Sequence, residues 1–417
     1  MAENENNAPA SANGSPHSAE SATALPELMT ISNRPIQFNS SKGFLGRTKS
    51  ITQYRRLRRL GEGTYGIVYQ ALDLQTERKV ALKAVRIFQD SQRDGIPTTA
   101  LRELSMLRSL RDHKNIIELL DIAVGDTKLD EVYMVLEYAR YDLANLIDNM
   151  RERFSISEVK CLMQQLLLGL EYIHEEGIIH RDIKMSNLLL TNQGILKIAD
   201  FGLARSYTDR PMTPNVVTIW YRSPELLFGS KRYNAAIDLW SAGCIMGEFI
   251  RLDPLLPGQS EKQQIDLIVG LLGAPDDRIW PGFRTLPFAQ SFRFQDVRTN
   301  TLNRVFANQS QATIELLNDF LTYDPSKRIT SSRALSHHYF SESPPAANPS
   351  LLRTFQHSSR SKDNRDHHTG TGTVSDKPHK GTRKSQYQYE FDDDTLVSSY
   401  EVPQSNDEER HSKRPRI

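Results

Sequence analysis

The sequence predicts an α+β fold in two unequal lobes, a small and mainly β N-terminal lobe followed by a larger and mainly α C-terminal lobe. Three observations carry this expectation. Strand-like residues punctuated by glycine run to about residue 86, helical spacing dominates after residue 142, and 417 residues of ordinary globular composition suffice for a large bilobal unit.

The first elements are strands from Tyr54 to about Arg86, β-branched and aromatic, with a turn near Gln75–Thr76. A short helix follows at Thr99–Leu110, with Leu101, Leu104, Leu107 and the flanking Met106 at helical spacing. Glu131–Tyr138 reads as a further apolar strand. Helices are then expected at Ser157–Glu175, Ala236–Arg251, Glu261–Leu272 and Gln311–Leu321. The folded unit is thus expected over residues 54–340, with its lobes at 54–138 and 142–340. The polar segments 1–42 and 344–417 hold too few apolar residues to offset chain entropy and are expected to be disordered.

Composition sets further bounds. The 52 Lys and Arg residues against 51 Asp and Glu leave a net charge of +1, which gives no global reason to expect direct nucleic-acid or membrane binding. Two cysteines, Cys161 and Cys244, sit in apolar helical stretches and read as buried, reduced thiols. No apolar run approaches the roughly 20 residues needed to cross a bilayer, and an intracellular protein is expected. The basic end Lys413–Arg416 favours the nucleus over the cytoplasm, and reads equally as solvated charge.

Chemistry enters with Gly61–Glu62–Gly63–Thr64–Tyr65–Gly66–Ile67–Val68. The same glycine spacing marks dinucleotide-binding loops, but there the loop leads into a helix. Here Val68–Ala71 resumes a strand, so the loop is a hairpin lid whose backbone can approach phosphates. Lys83, in Val80–Ala81–Leu82–Lys83, would be a surface residue on an ordinary strand; behind such a lid its ammonium can reach the α- and β-phosphates. Glu103 on the next helix can fix that lysine. In His180–Arg181–Asp182–Ile183–Lys184–Met185–Ser186–Asn187, Asp182 can receive a hydroxyl proton, Lys184 can hold a γ-phosphoryl group, and Asn187 can bind a metal through its amide oxygen. Thirteen residues on, Asp200–Phe201–Gly202 supplies a second oxygen ligand of the kind Mg²⁺ prefers. Together these parts specify an ATP- and Mg²⁺-dependent phosphotransferase.

From Tyr54 to about Phe340 the chain resembles the eukaryotic protein kinase domain. The resemblance implies the bilobal kinase fold, and an ATP site completed by Leu60, Val68, Ala81 and Leu189. It puts Leu136 at the back of the adenine pocket, Glu137 and Tyr138 in the hinge, and Asp142 near the ribose. Lys184, two residues after Asp182, is the Ser/Thr pattern. Ser223–Pro224–Glu225 stands where Ala-Pro-Glu is usual, leaving Glu225 to pair with Arg328.

Pro97–Thr98–Thr99–Ala100–Leu101–Arg102–Glu103 is similar to the signature helix of cyclin-dependent kinases, against which a cyclin packs and pushes the Glu inward. The segment Asp200–Glu225 resembles the same group and lacks the Thr-x-Tyr pair of mitogen-activated kinases. In that register Arg102, Arg181 and Arg205 converge, and a phosphate on Thr213, placed by an upstream kinase, would gather them. Val216 and Val217 line a pocket favouring proline after the target Ser or Thr. Thr64 and Tyr65 match inhibitory phosphorylation positions, and also read as turn residues. Leu45–Gly46–Arg47, Asp94–Gly95–Ile96–Pro97 and Ile265–Val269 are most like the cyclin-dependent kinase 10 branch, which implies an M-class cyclin. Thr98, Thr99 and Ala100 depart from that branch, with the cyclin-dependent kinase 11 branch as the alternative. A catalytically silent scaffold would lack Lys83, Asp182, Asn187 or Asp200, and all four are present.

Overall fold

The computed structural model describes residues 48–63, 66–85, 96–125, 131–149, 153–208, 211–213, 216–292, 294 and 299–352. Thr64, Tyr65, the 45–47 leader, residues 1–42 and everything past Leu352 lie outside these.

Alternation of apolar side chains builds the N-terminal lobe. Its six strands are β1 (Lys49–Ser50), β2 (Tyr54–Gly63), β3 (Gly66–Asp73), β4 (Lys79–Val85), β5 (Leu119–Val124) and β6 (Val132–Glu137). They form one sheet in the order β1-β5-β6-β4-β3-β2, antiparallel except for the β1–β5 pair. On β4, Val80 and Leu82 join an outer-face cluster with Tyr54, Ala71, Tyr133 and Val135, whereas Ala81 and Val85 face the main core. Because strand side chains alternate, Lys83 shares the inner face with Ala81 and Val85. Gly66 closes the hairpin after β2; a Cβ there would overlap the Ala84 carbonyl oxygen, so only glycine lets the two strands cross so closely.

Helix α1 (Thr98–Ser109) packs beneath this sheet, burying Ala100, Glu103, Leu104, Met106 and Leu107. The expected helices form at α3 (Ile156–Glu175), α5 (Ala236–Arg251), α6 (Glu261–Leu272) and α8 (Gln311–Phe320), joined by the short α2 (Leu143–Asp148), α4 (Pro224–Leu227), α7 (Leu302–Val305) and α9 (Ser331–Leu335). Their starts are chemically marked. Ser155 and Glu158 form a reciprocal capping box on α3, and the hydroxyls of Ser260 and Ser310 accept the N-terminal amides of α6 and α8. Among the described residues no helix is long and apolar enough to cross a membrane. Both cysteines are free and buried.

Short strands at the lobe junction carry the loops that matter. β7 (Tyr141–Asp142), β9 (Leu188–Leu190) and β10 (Leu196–Ile198) form one ribbon, while β8 (Ile178–Ile179) pairs with β11 (Arg205–Ser206). One boundary differs from the expectation. Residues 344–352, assigned to the disordered tail, lie against the C-terminal lobe: Lys160, wholly buried in α3, donates to the carbonyls of Glu342 and Pro344 at 2.8 and 2.9 Å, and Ala347 N–H donates to Ser157 O. A buried ammonium needs such acceptors, and the chain after Phe340 supplies them.

Candidate active site

Lys83 leaves the inner face of β4 and meets two carboxylates. Its Nζ lies 2.7 and 2.9 Å from the oxygens of Glu103 on α1 and 3.1 Å from Oδ1 of Asp200. The inward position of Glu103, which the resemblance assigns to a cyclin's push, is the one adopted in this structure. Burial pushes the Glu103 carboxyl up, and the Lys83 ammonium opposes it. At Asp200 burial acts in the same upward sense, but Lys83, Lys184 and His180 outweigh it and hold the carboxyl below its ordinary range. Asp200 has φ 65°, a left-handed conformation unusual outside glycine, which aims its carboxylate back at β4. Phe201, next in line, is fully buried under α1 with its ring edge on His180 at 4.8 Å.

The catalytic-loop side chains His180 to Met185 and Asn187 are buried. The Asp182 carboxylate accepts from Lys184 Nζ at 2.8 Å, Asn187 Nδ2 at 3.0 Å and Thr218 Oγ1 at 3.2 Å. Asn187 Nδ2 also donates to the Asp182 carbonyl at 2.8 Å, which fixes the amide so that Oδ1 points away, buried and accepting no hydrogen bond. An orphaned buried acceptor is costly unless something is meant to use it. With the Asp200 carboxylate it makes the hard-oxygen donor set that suits Mg²⁺. The residues present therefore fit the metal.

Above and below this centre stand the apolar residues expected around adenine. Ala81 and Leu136 are cross-strand partners on the buried inner face, and Leu60, Val68 and Leu189 are half-buried against the same core. At the expected hinge, Glu137 N–H donates to Glu118 O at 2.9 Å, so it is spent inside the sheet, and Tyr138 follows the end of β6. Asp142 caps α2, its two oxygens accepting from the backbone and side-chain nitrogens of Asn145 at 2.8 and 2.6 Å.

Around the activation segment the three arginines divide. Arg181 is buried: Nε donates to Leu203 O at 2.7 Å and Nη1 to Tyr233 Oη at 2.9 Å. That hydroxyl donates in turn to the Thr213 carbonyl at 2.8 Å. Arg102 is half-buried on α1, the helix that packs against the Phe201–Leu203 turn held by Arg181, and Arg205 is exposed on β11 just after that turn. Thr213 itself is exposed. Val216 and Val217 are buried, and Val217 takes φ 69°, a strained choice for a β-branched residue. The strain turns its carbonyl toward Arg222, whose Nε and Nη2 donate to it at 3.2 and 3.0 Å. At the segment's end Arg328, fully buried, forks onto both oxygens of Glu225 at 2.7 and 2.9 Å.

Three further residues assemble the site and were not singled out in the sequence: Thr218, Tyr233 and Asp238. The Asp238 carboxylate accepts the backbone N–H groups of His180 and Arg181, each at 2.9 Å, and the His174 ring at 2.9 Å. A lone acid inside the apolar helix Ile237–Gly243 was the available signal.

Known proteins match this geometry. The family model described as "Protein kinase domain" matches residues 54–340. Cyclin-dependent kinase 10 of Mus musculus is 50% identical over 315 residues, covering 75% of this chain and 86% of that protein, and the Homo sapiens protein of that name is 49% identical with the same coverage. Cyclin-dependent kinase G-2 of Oryza sativa subsp. indica is 44% identical over 317 residues, covering 74% of this chain and 44% of that protein. Among solved structures, a chain of the CAK complex from Chaetomium thermophilum bound to ATP-γ-S superposes with TM-score 0.67 at 37% identity, covering 72% of this chain and 94% of that one.

Proposed function

This chain belongs to the protein kinase family, in its cyclin-dependent kinase group and most like the cyclin-dependent kinase 10 branch, and from that premise we propose how its residues divide the work of phosphorylating Ser and Thr. As an ATP-dependent Ser/Thr kinase it must bring a hydroxyl in line with the γ-phosphoryl. Asp182 accepts the hydroxyl proton, held in place by Asn187 and Thr218, while Lys184 neutralises the transferring group. Lys83, fixed by Glu103, holds the α- and β-phosphates. Mg²⁺, held by Asn187 Oδ1 and Asp200 when bound, supplies charge neutralisation to the phosphate oxygens.

The observation that carries this reading is the Asp182 carboxylate, buried among Lys184, Asn187 and Thr218. Asp182→Asn keeps the shape and removes the base, so radiolabel transfer from ATP should fall about 10²- to 10⁴-fold. Undiminished transfer would remove Asp182 from the chemistry.

Proline-directed specificity is supported by Val217. Its carbonyl is spent on Arg222, so the backbone N–H of a residue following the target finds no acceptor there. Proline has no N–H to leave unpaired. Replacing that proline by alanine in a peptide substrate should lower kcat/KM about tenfold or more, from an unpaired donor worth about 1–3 kcal/mol. Equal use of both peptides would exclude the pocket.

Regulation by a cyclin and by an upstream kinase fits exposed Leu101 on α1 and exposed Thr213. The cyclin would hold Glu103 in the seated position, and its class is M if the branch resemblance extends to the partner. A role in the cell cycle or transcription, in the nucleus, accords with the group and with Lys413–Arg416. Identifying the protein that co-purifies with the tagged chain tests the partner.

A further inference from the structure

β2 carries Arg55, Arg56, Arg58 and Arg59, four arginines within five residues, and all four are exposed. The strand is also the free edge of the six-stranded sheet. Register puts them on both faces: Arg56 and Arg59 stand opposite Ala71 and Tyr69 of the outer face, Arg55 and Arg58 opposite Leu72 and Gln70. Neutral groups hold two of them. Arg56 donates to Tyr133 Oη at 2.6 Å and lies 5.1 and 5.0 Å from the Tyr69 and Tyr133 ring centres, and Arg58 Nε donates to Gln70 Oε1 at 2.9 Å. Such contacts orient guanidiniums without cancelling their charge. Cations on an edge strand do blunt unwanted sheet pairing, but one or two would serve. Arg55, Arg56 and Arg58 alone, at this spacing, repel one another and raise a local positive field that a polyanion can satisfy.

The chain itself contains one. Between Ser385 and Glu409 there are eight Asp or Glu residues, centred on Asp392–Asp394, and no Lys or Arg. Tyr389 and Phe391 beside that centre suit the exposed guanidinium surfaces of the strand. Reach is sufficient. The described chain ends with Leu352 buried beside the Gly194 turn, and a 40-residue tether such as that from there to Asp392 can reach about 35 Å root-mean-square if unconstrained, against a radius of gyration of about 19 Å for a domain of this size.

We propose that the acidic block 385–409 docks in cis on the arginine-bearing edge of β2. Tethering sets its effective concentration in the millimolar range, so weak charge pairs suffice. β2 runs directly into the glycine lid at Gly61–Gly63, which puts the docked block next to the phosphate-binding end of the cleft.

The test uses the full chain. Cys161 and Cys244 are both buried, so spin labels at Thr76→Cys and Ser398→Cys are selective. Pulsed dipolar spectroscopy at low salt should give a compact distance population, shorter and narrower than that of the chain at high salt. Arg55→Gln with Arg58→Gln, Asp392–Asp394 changed to Asn, or ~0.5 M salt should each broaden it. A wild-type distribution already as broad as in the variants overturns the proposal, as does a compact one that the arginine substitutions leave unchanged. A short distance that disappears on dilution with unlabelled chain assigns the block to a second copy and overturns the cis contact.

Discussion

The catalytic loop and the activation segment lie against each other and handle charge in opposite ways. In the loop the chemical side chains are buried and their partners are fixed: Asp182 is met by Lys184, and Asp238 accepts the backbone amides of His180 and Arg181. In the activation segment the ends are fixed, by Lys83 on Asp200 and by Arg328 on Glu225, while in the middle Thr213 is exposed and tied to buried Arg181 only through the Tyr233 hydroxyl on its backbone carbonyl. A loop that performs chemistry is preorganised so that no reorganisation is needed at the moment of reaction. A segment that is to be switched needs an element with two accessible states, which is the role proposed for the exposed stretch around Thr213.

Removing an anchor should break that contrast most severely. Glu225→Gln leaves the Arg328 guanidinium, with no exposed side-chain surface, facing a neutral amide, at a cost of about 3–5 kcal/mol. The urea midpoint should drop accordingly at unchanged slope. A loss under about 1 kcal/mol would mean that the segment's end is held by its apolar neighbours alone. Thr213→Ala should do the reverse. The contact of Thr213 with Tyr233 runs through its backbone carbonyl, which alanine keeps, so stability should hold. Activity with the partner cyclin should nevertheless fall at least about tenfold, the worth of one or more charge-assisted bonds to phosphate. Equal turnover by mutant and wild type would rule out the arginine switch.

Legibility in the sequence follows the same division. Lys83, Glu103, Asp182, Asn187 and Asp200 could be read because phosphate chemistry demands fixed residue types at fixed spacing. The long helices could be read because period and cap coincide, as at Ser155 and Ser260. Contacts between distant segments left no local mark. Asp238 lies 57 and 58 residues from the amides it holds, and Tyr233 is 52 from Arg181. β5 hid inside Ile116–Val124, where burial alternates along the strand but apolar residues occupy both faces and a carboxylate, Asp121, lies on the buried one, so no apolar–polar alternation can be read. The tail boundary was misplaced for a related reason: nothing near Lys160 in sequence reveals that a fully buried ammonium needs the carbonyls of Glu342 and Pro344.

The smallest effect concerns the loop's own scaffold. His180 Nδ1 accepts from Asp182 N–H at 3.3 Å, so the ring proton sits on Nε2 and points to Ala199 O at 3.1 Å: the imidazole is neutral. Burial pushes its pKa down, with Asp238, Asp182 and Asp200 pulling back without prevailing. In the unfolded chain the same ring titrates near 6.5. Below that value the unfolded state binds a proton that the folded state refuses, so stability contributed by this group is complete above pH 6.5 and declines as pH falls toward the depressed folded value. The slope cannot exceed about 1.4 kcal/mol per pH unit for one group. Asp200 and Asp238, also held below their ordinary range, lose their contributions only at pH below about 4, in a separate window. His113 and His337 are shifted down by burial as well and add to the upper window. Urea midpoints between pH 7.5 and 5.5 should therefore fall less steeply in His180→Gln than in wild type. An identical slope would show that the loop's neutral imidazole is not what couples its stability to pH, and that His113 and His337 carry the effect.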